Sequence, residues 1–136
     1  MTDAAPETRS VVLEREVAHS PEKIWRALTQ PHLVAEWLMK GDIRPVQGHR
    51  FDFSAEWGGV SCEVLEIEAH RRLVYSWGDH DLDSIVTWTL TPTAGGTRLR
   101  MEQTGFRTDQ PRYFGGARAG WPRFFDNLEK LLERLD

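Results

Sequence analysis

Residues 120–136, GWPRFFDNLEKLLERLD, place Trp121, Phe124, Phe125, Leu128, Leu131, Leu132 and Leu135 at offsets 0, 3, 4, 7, 10, 11 and 14. That spacing puts all of these large apolar side chains on one side of a helix. Such a stripe has to be covered, and what covers it decides the fold. The cover could be plain core, a partner protein, or a sheet that leaves a cavity for an apolar ligand.

The upstream chain supplies a sheet. Residues 11–18, VVLEREVA, alternate, with Leu13 and Val17 on one face and Glu14 and Glu16 on the other, which predicts a strand. Ser20-Pro21 reads as an N-cap followed by the first helical residue, and Ile24, Trp25 and Leu28 form the inner face of a short helix. Pro31 ends it, because the residue before a proline is pushed out of helical geometry. Leu33, Val34, Trp37 and Leu38 then give a second short helix. Beyond Gly41 strands follow: Phe51 and Phe53 alternate, and Gly58-Gly59 marks a turn. Val60, Cys62 and Val64 alternate in one phase and Leu65, Ile67 and Ala69 in the other, a slip near Val64 that predicts a β-bulge. Leu73, Tyr75 and Trp77 share a face, as do Val86, Trp88 and Leu90, and then Leu99 and Met101.

The last helix has two readings. It is either a long helix capped by Asp109, beginning near Pro111 and kinked at Pro122, or a shorter one from Gly120 with Pro122 in its first turn. Gly115, Gly116 and Gly120 weaken the first half on propensity. Strands joined by short turns pair antiparallel, and their alternation leaves one sheet face apolar and the other wet. The expected fold is therefore α+β: a curved antiparallel sheet of about six strands wrapped around the long C-terminal helix, with two short helices after the first strand. A length of 136 residues suits one core. Residues 1–9 are expected to be a flexible tail and residues 10–136 a single domain.

Composition removes several functions. The formal charge is −4 and the 17 Lys and Arg are scattered, so no nucleic-acid partner is expected. No stretch approaches the roughly 20 apolar residues of a membrane span. The N-terminus lacks the basic and apolar regions of a secretory signal, and Cys62 is the lone cysteine, which leaves no intrachain disulfide and no CxxC motif. These features point to a cytoplasmic protein, a monomer or a homodimer.

Chemical motifs are sparse. Asp79, His80, Asp81 and Asp83 have metal-ligating groups, but adjacent residues seldom converge on one ion, and Asp and Gly at a hairpin tip are turn formers. His19, His32, His49 and His70 fall on separate elements with no HExxH. There is no GxSxG elbow and no P-loop. Cys62, between Val60 and Val64, reads as a buried inert thiol. Glu14, Glu16, Glu63, Glu66 and Glu68 fall mostly on the wet face, so no acid–base pair can be named. No catalytic residue, metal or cofactor is assigned.

Several segments carry a family resemblance. HSPEKIWRALTQPHLVAEW (residues 19–37), RRLVYSW (71–77), VTWTLTPTAGGTRLRM (86–101), the TGF of Thr104 to Phe106 and the GW of Gly120-Trp121 agree in order and spacing. Together they resemble the helix-grip, START-like superfamily, and within it the bacterial proteins related to the activator of the ninety-kilodalton heat-shock protein ATPase. The resemblance runs over residues 10 to 135, with Gly48-His49 standing where that group often has a Gly-Gly pair. It implies a cavity between sheet and helix, and a protein that binds a small, largely apolar ligand there as a carrier, sensor or sequestering agent. It also implies two alternatives: an enzyme of the cyclase or hydrolase type using the same cavity, and an interaction module whose partner is a chaperone.

The side chains on inferred inward faces are the candidates to line that cavity: Trp37, Phe53, Tyr75, Trp77, Trp88, Met101, Gln103, Trp121 and Phe125, with Arg15 between Leu13 and Val17. Large aromatics suit an apolar pocket or an ordinary core equally. An inward Arg15 could hold a ligand carboxylate or phosphate bidentately, or snorkel to water from a sheet edge.

Overall fold

The computed structural model describes residues 8–56, 58–78 and 81–135. Residues 1–7 of the expected tail, and Asp79 and His80 of the expected turn, lie outside the described residues.

The chain opens with β1 (Thr8–Val17), so Thr8 and Arg9 already belong to the sheet. Ser20 caps α1 (Pro21–Thr29) as its residue type predicts: its Oγ accepts from the backbone N–H of Lys23 at 3.3 Å, with Pro21 in the first turn. Gln30 ends α1 and starts α2 (Pro31–Trp37), because Pro31 forbids continuation. The Trp37 indole N–H donates to the carbonyl of Ala27 at 2.7 Å, which satisfies a carbonyl of the last turn of α1 and fixes the two helices together.

The strands β2 (Lys40–Gly41), β3 (Arg50–Ala55), β4 (Gly58–Glu68), β5 (Arg72–Gly78), β6 (Asp83–Thr93) and β7 (Gly96–Arg107) follow. With β1 they form one curved antiparallel sheet in the order β1-β7-β6-β5-β4-β3-β2. The sheet has seven strands where about six were expected, because Lys40 and Gly41 pair with Ser54 and Phe53. Two residues are too few to leave a periodic signal.

Two irregularities shape the sheet. The predicted phase slip in β4 is a register shift between Val64 and Glu66 against β5. The second was not anticipated. Between Arg9 and Ser10 the register on β7 jumps from Phe106 to Thr104, leaving Gly105 as the extra residue. Gly105 has φ +105°, and a Cβ there would lie 2.6 Å from the carbonyl oxygen of Asp83, so only glycine fits. The bulge reverses the alternation, so Phe106 faces inward along with Leu99, Met101 and Gln103.

The inner face is closed by α3 (Pro111–Arg134), the longer of the two predicted helices, with Pro122 inside it. Gln110 takes the N-cap position in place of Asp109, whose carboxylate is instead engaged by the Arg107 Nε–H at 3.0 Å. The buried side chains of α3 are Trp121, Phe125, Leu128, Leu131 and Leu132, all in its second half. That half is also tied to the sheet edge, where Arg15 Nη1 donates to Asp126 Oδ1 at 2.8 Å and to Glu129 Oε2 at 2.6 Å. The first half, residues 111–120, has no buried side chain.

Candidate functional site

The space between sheet and helix is divided in two. Under the second half of α3 it is filled. Trp88 makes an edge contact with Trp37 at 5.6 Å, another with Trp121 at 5.7 Å, and stacks on Phe125 at 5.6 Å. Its indole N–H donates to Tyr75 Oη at 3.0 Å, so its polar atom is satisfied within the core. Phe53 packs against Phe51, Tyr75 and Trp77 with centroids 5.0–6.2 Å apart. Burial of this cluster pushes the Tyr75 hydroxyl pKa upward, with the Trp88 donor opposing. Burial, aided by the charge of Asp52, likewise pushes the Cys62 thiol up to about 12, which makes it unreactive near neutrality.

Under the first half of α3 a cavity of about 320 Å³ remains. Its floor comes from the sheet side: Met39, Val60, Trp77, Leu82, Gln103 and Phe106. Its roof is α3, through Arg112, Tyr113, Gly116, Ala117, Gly120, Trp121 and Phe124. Glycine and alanine on the roof create the room: a Cβ on Gly116 would meet nothing within 4 Å, and one on Gly120 only Phe124, at 3.8 Å. At the entrance of the helix the Gln110 amide donates to the carbonyl of Asp81 at 2.8 Å, holding the segment that carries Leu82 against the start of α3.

The cavity wall contains one buried polar chain. The Trp121 indole N–H donates to Gln103 Oε1 at 2.7 Å, Gln103 Nε2 donates to Ser84 Oγ at 2.9 Å, and Ser84 Oγ donates to the carbonyl of Trp77 at 2.6 Å. Gln103 is 2% exposed and Ser84 1%. Each link therefore depends on the next, since an unpaired group so deep is costly. The chain fixes Trp77 and Trp121, whose rings stand 5.6 Å apart, at the inner end of the cavity.

Of the side chains expected to line a cavity, Trp77, Gln103 and Trp121 do so. Trp37, Tyr75, Trp88, Met101 and Phe125 point inward but fall under the filled half, where they interdigitate as core, and Phe53, packed against Tyr75 and Trp77, borders a neighbouring groove instead. Arg15 does not line this cavity: its guanidinium meets Asp126 and Glu129 and lies over the Phe125 ring at 5.4 Å. The lining residues that sequence reasoning missed are Met39, Val60, Leu82 and Phe106 on the floor and Arg112, Tyr113, Gly116, Ala117, Gly120 and Phe124 on the roof. A signal for the roof existed, since Tyr113, Ala117, Gly120 and Phe124 continue the helical stripe upstream. Small residues score poorly in any apolar count, and the bulge that turns Phe106 inward leaves no periodic mark. Asp81 and Asp83 border the neighbouring open groove with Asp52, Phe53, Ser54 and Ser61, and Val60 and Leu82 lie on both it and the cavity. No group of three or more His, Cys, Asp or Glu side chains converges among the described residues.

A curved antiparallel sheet gripping a long C-terminal helix, with two short helices inserted after the first strand, defines a helix-grip protein of the START-like type. The profile of the Activator of Hsp90 ATPase homolog 1-like proteins matches residues 18–133, and the chain belongs to that family. It is similar to the crystal structure of protein MLL2253 from Mesorhizobium loti, at 58% identity and TM-score 0.92, covering 94% of this chain and 99% of that one. It also resembles DynU16, a protein of the dynemicin biosynthetic locus, at 25% identity and TM-score 0.81 over 91% of this chain, which spans 47% of DynU16. CalU16 from Micromonospora echinospora is similar at 26% identity and TM-score 0.76, with 92% and 76% of the two chains covered. Comparison with curated proteins gave no match.

Proposed function

We propose that this protein binds a small, largely apolar molecule in the cavity under the first half of α3, and acts by carrying, sensing or sequestering it. One observation carries the reading: a space of about 320 Å³, walled by five aromatic rings, lies under the first half of α3 beside a core in which Trp88 and Phe125 are fully buried. That volume lies at the small end of the roughly 300–1,000 Å³ typical of ligand pockets. Burying about 200 Å² of apolar ligand surface supplies on the order of 5 kcal/mol before ordering costs, enough for useful affinity. The described lining residues include no carboxylate, imidazole or thiol. Tyr113 is the one lining side chain of a type used in general acid–base catalysis, and the apolar walls around it favour binding. The family is named for activation of a chaperone ATPase; the present reading rests on the cavity alone.

Trp77 and Trp121 make the test direct. Titration with a panel of one- and two-ring aromatic compounds is expected to give a saturable change in tryptophan fluorescence. Gly120→Leu, which places a side chain in the cavity while improving helix propensity, is expected to abolish the change and keep the protein folded by circular dichroism. A Gly120→Leu protein that titrates like the parent would move the site elsewhere. A parent that responds to nothing in the panel would refute ligand binding here.

A further inference from the structure

We infer that the ligand is a compact aromatic acid, with one or two rings inside the cavity and a carboxylate at its mouth held by Arg112. This rests on the ligand-binding reading above and adds the size and charge of what is bound.

Size follows from where the cavity stops. Its inner end is closed by Trp77 and Trp121, and beyond Trp121 the Trp88–Phe125 stack occupies the remaining space. A space of about 320 Å³ with that back wall accepts a short rigid body and stops a long acyl chain at Trp121. The rings of Trp77, Phe106, Tyr113, Trp121 and Phe124 present faces and edges from both floor and roof, an arrangement that suits a flat aromatic guest.

Charge follows from the lip. Arg112 is the one charged residue among those lining the cavity; it is exposed, and it makes no ion pair or hydrogen bond with any described residue. Arg15, Arg50, Arg72, Arg98, Arg100, Arg107 and Arg134 each pair with a carboxylate, whereas Arg123 has no such pair among the described residues but does not line the cavity. Arg118, on the same helix, lies by the Phe114 ring, 6.0 Å from its centroid. From Pro111 to Phe125 the helix carries Arg112, Arg118 and Arg123 and no acid at all. The first carboxylate of the helix, Asp126, is taken by Arg15. Nothing on its own helix therefore competes for the Arg112 fork, which matches a carboxylate in geometry and charge.

Calorimetric titration of the full chain with 2-naphthoate, its neutral isostere 2-naphthamide, and palmitate separates these claims. Naphthoate is expected to bind about tenfold more tightly than naphthamide at low salt, and the preference to shrink at about 0.5 M salt. Arg112→Gln is expected to bring naphthoate down to the affinity of naphthamide, leave naphthamide unchanged, and leave thermal stability unchanged because Arg112 has no partner among the described residues to lose. Palmitate is expected not to displace either. Equal binding of acid and amide by the parent, or an acid preference that survives in Arg112→Gln, would overturn the anionic assignment while the cavity reading stands. Displacement by palmitate would overturn the size limit. If neither naphthyl compound binds, this inference falls together with the reading beneath it.

Discussion

Gln103 occupies a point where polar groups meet out of reach of water. Its two amide atoms are both committed, one to the Trp121 indole and one to Ser84. Replacing it with leucine preserves the bulk and strands a buried indole N–H. Gln103→Leu is expected to lower stability by about 2 kcal/mol in urea denaturation, within the usual cost of an orphaned buried donor. His19 offers a second test. Burial and the charge of Lys23, whose Nζ lies 3.2 Å from Nδ1, push its pKa below the ordinary 6.5, with Glu133 and Glu129 opposing. The folded protein then binds that proton less readily than the unfolded chain, so stability rises with pH through the window just below 6.5 and is lost as pH falls through it. Melting temperature is expected to decline below about pH 6.5, and less steeply in His19→Gln. At this scale the sequence shows which way a side chain faces and not what it meets. Alternation places Arg15 on the inner face; its partners Asp126 and Glu129 come from a helix more than a hundred residues later, and no local pattern couples them.

At the scale of elements, α3 is two different helices joined end to end. The second half buries a regular stripe and is anchored by Arg15; the first half carries Gly115, Gly116 and Gly120 and leaves no side chain buried. Pro122, between them, lacks the N–H that would bond the carbonyl of Arg118. Gly115 does not line the cavity, and a Cβ there would meet nothing within 4 Å. Gly115→Ala is therefore expected to stabilise the protein by about 0.5–1 kcal/mol in thermal denaturation and leave ligand titrations unchanged. The second half of this helix was legible because the stripe from Trp121 is strong, whereas its start, at Pro111 or at Gly120, stayed open in the sequence. The division of labour was not legible. An apolar count finds where a helix is gripped and passes over the place where it is deliberately thin.

At the scale of the whole molecule, the α+β class, the antiparallel pairing implied by short turns and the helix-grip resemblance all agree with the structure, because each rests on patterns repeated over many residues. The position of the cavity rests on a single bulge at Gly105 and on a few missing side chains along α3, and such local exceptions carry no repeated signal. None of the described helices is long and apolar enough to cross a membrane. The pairing of β1 with β7, Val17 opposite Thr97 and Thr8 opposite Arg107, has a consequence for how the chain is made. On the ribosome β1 emerges well before its hydrogen-bonding neighbour β7. The hairpins from β3 to β6 can assemble as they appear, while β1 has to wait, and loop closure over so long a stretch is slow. The earliest strand of this protein is thus among the last to find its place.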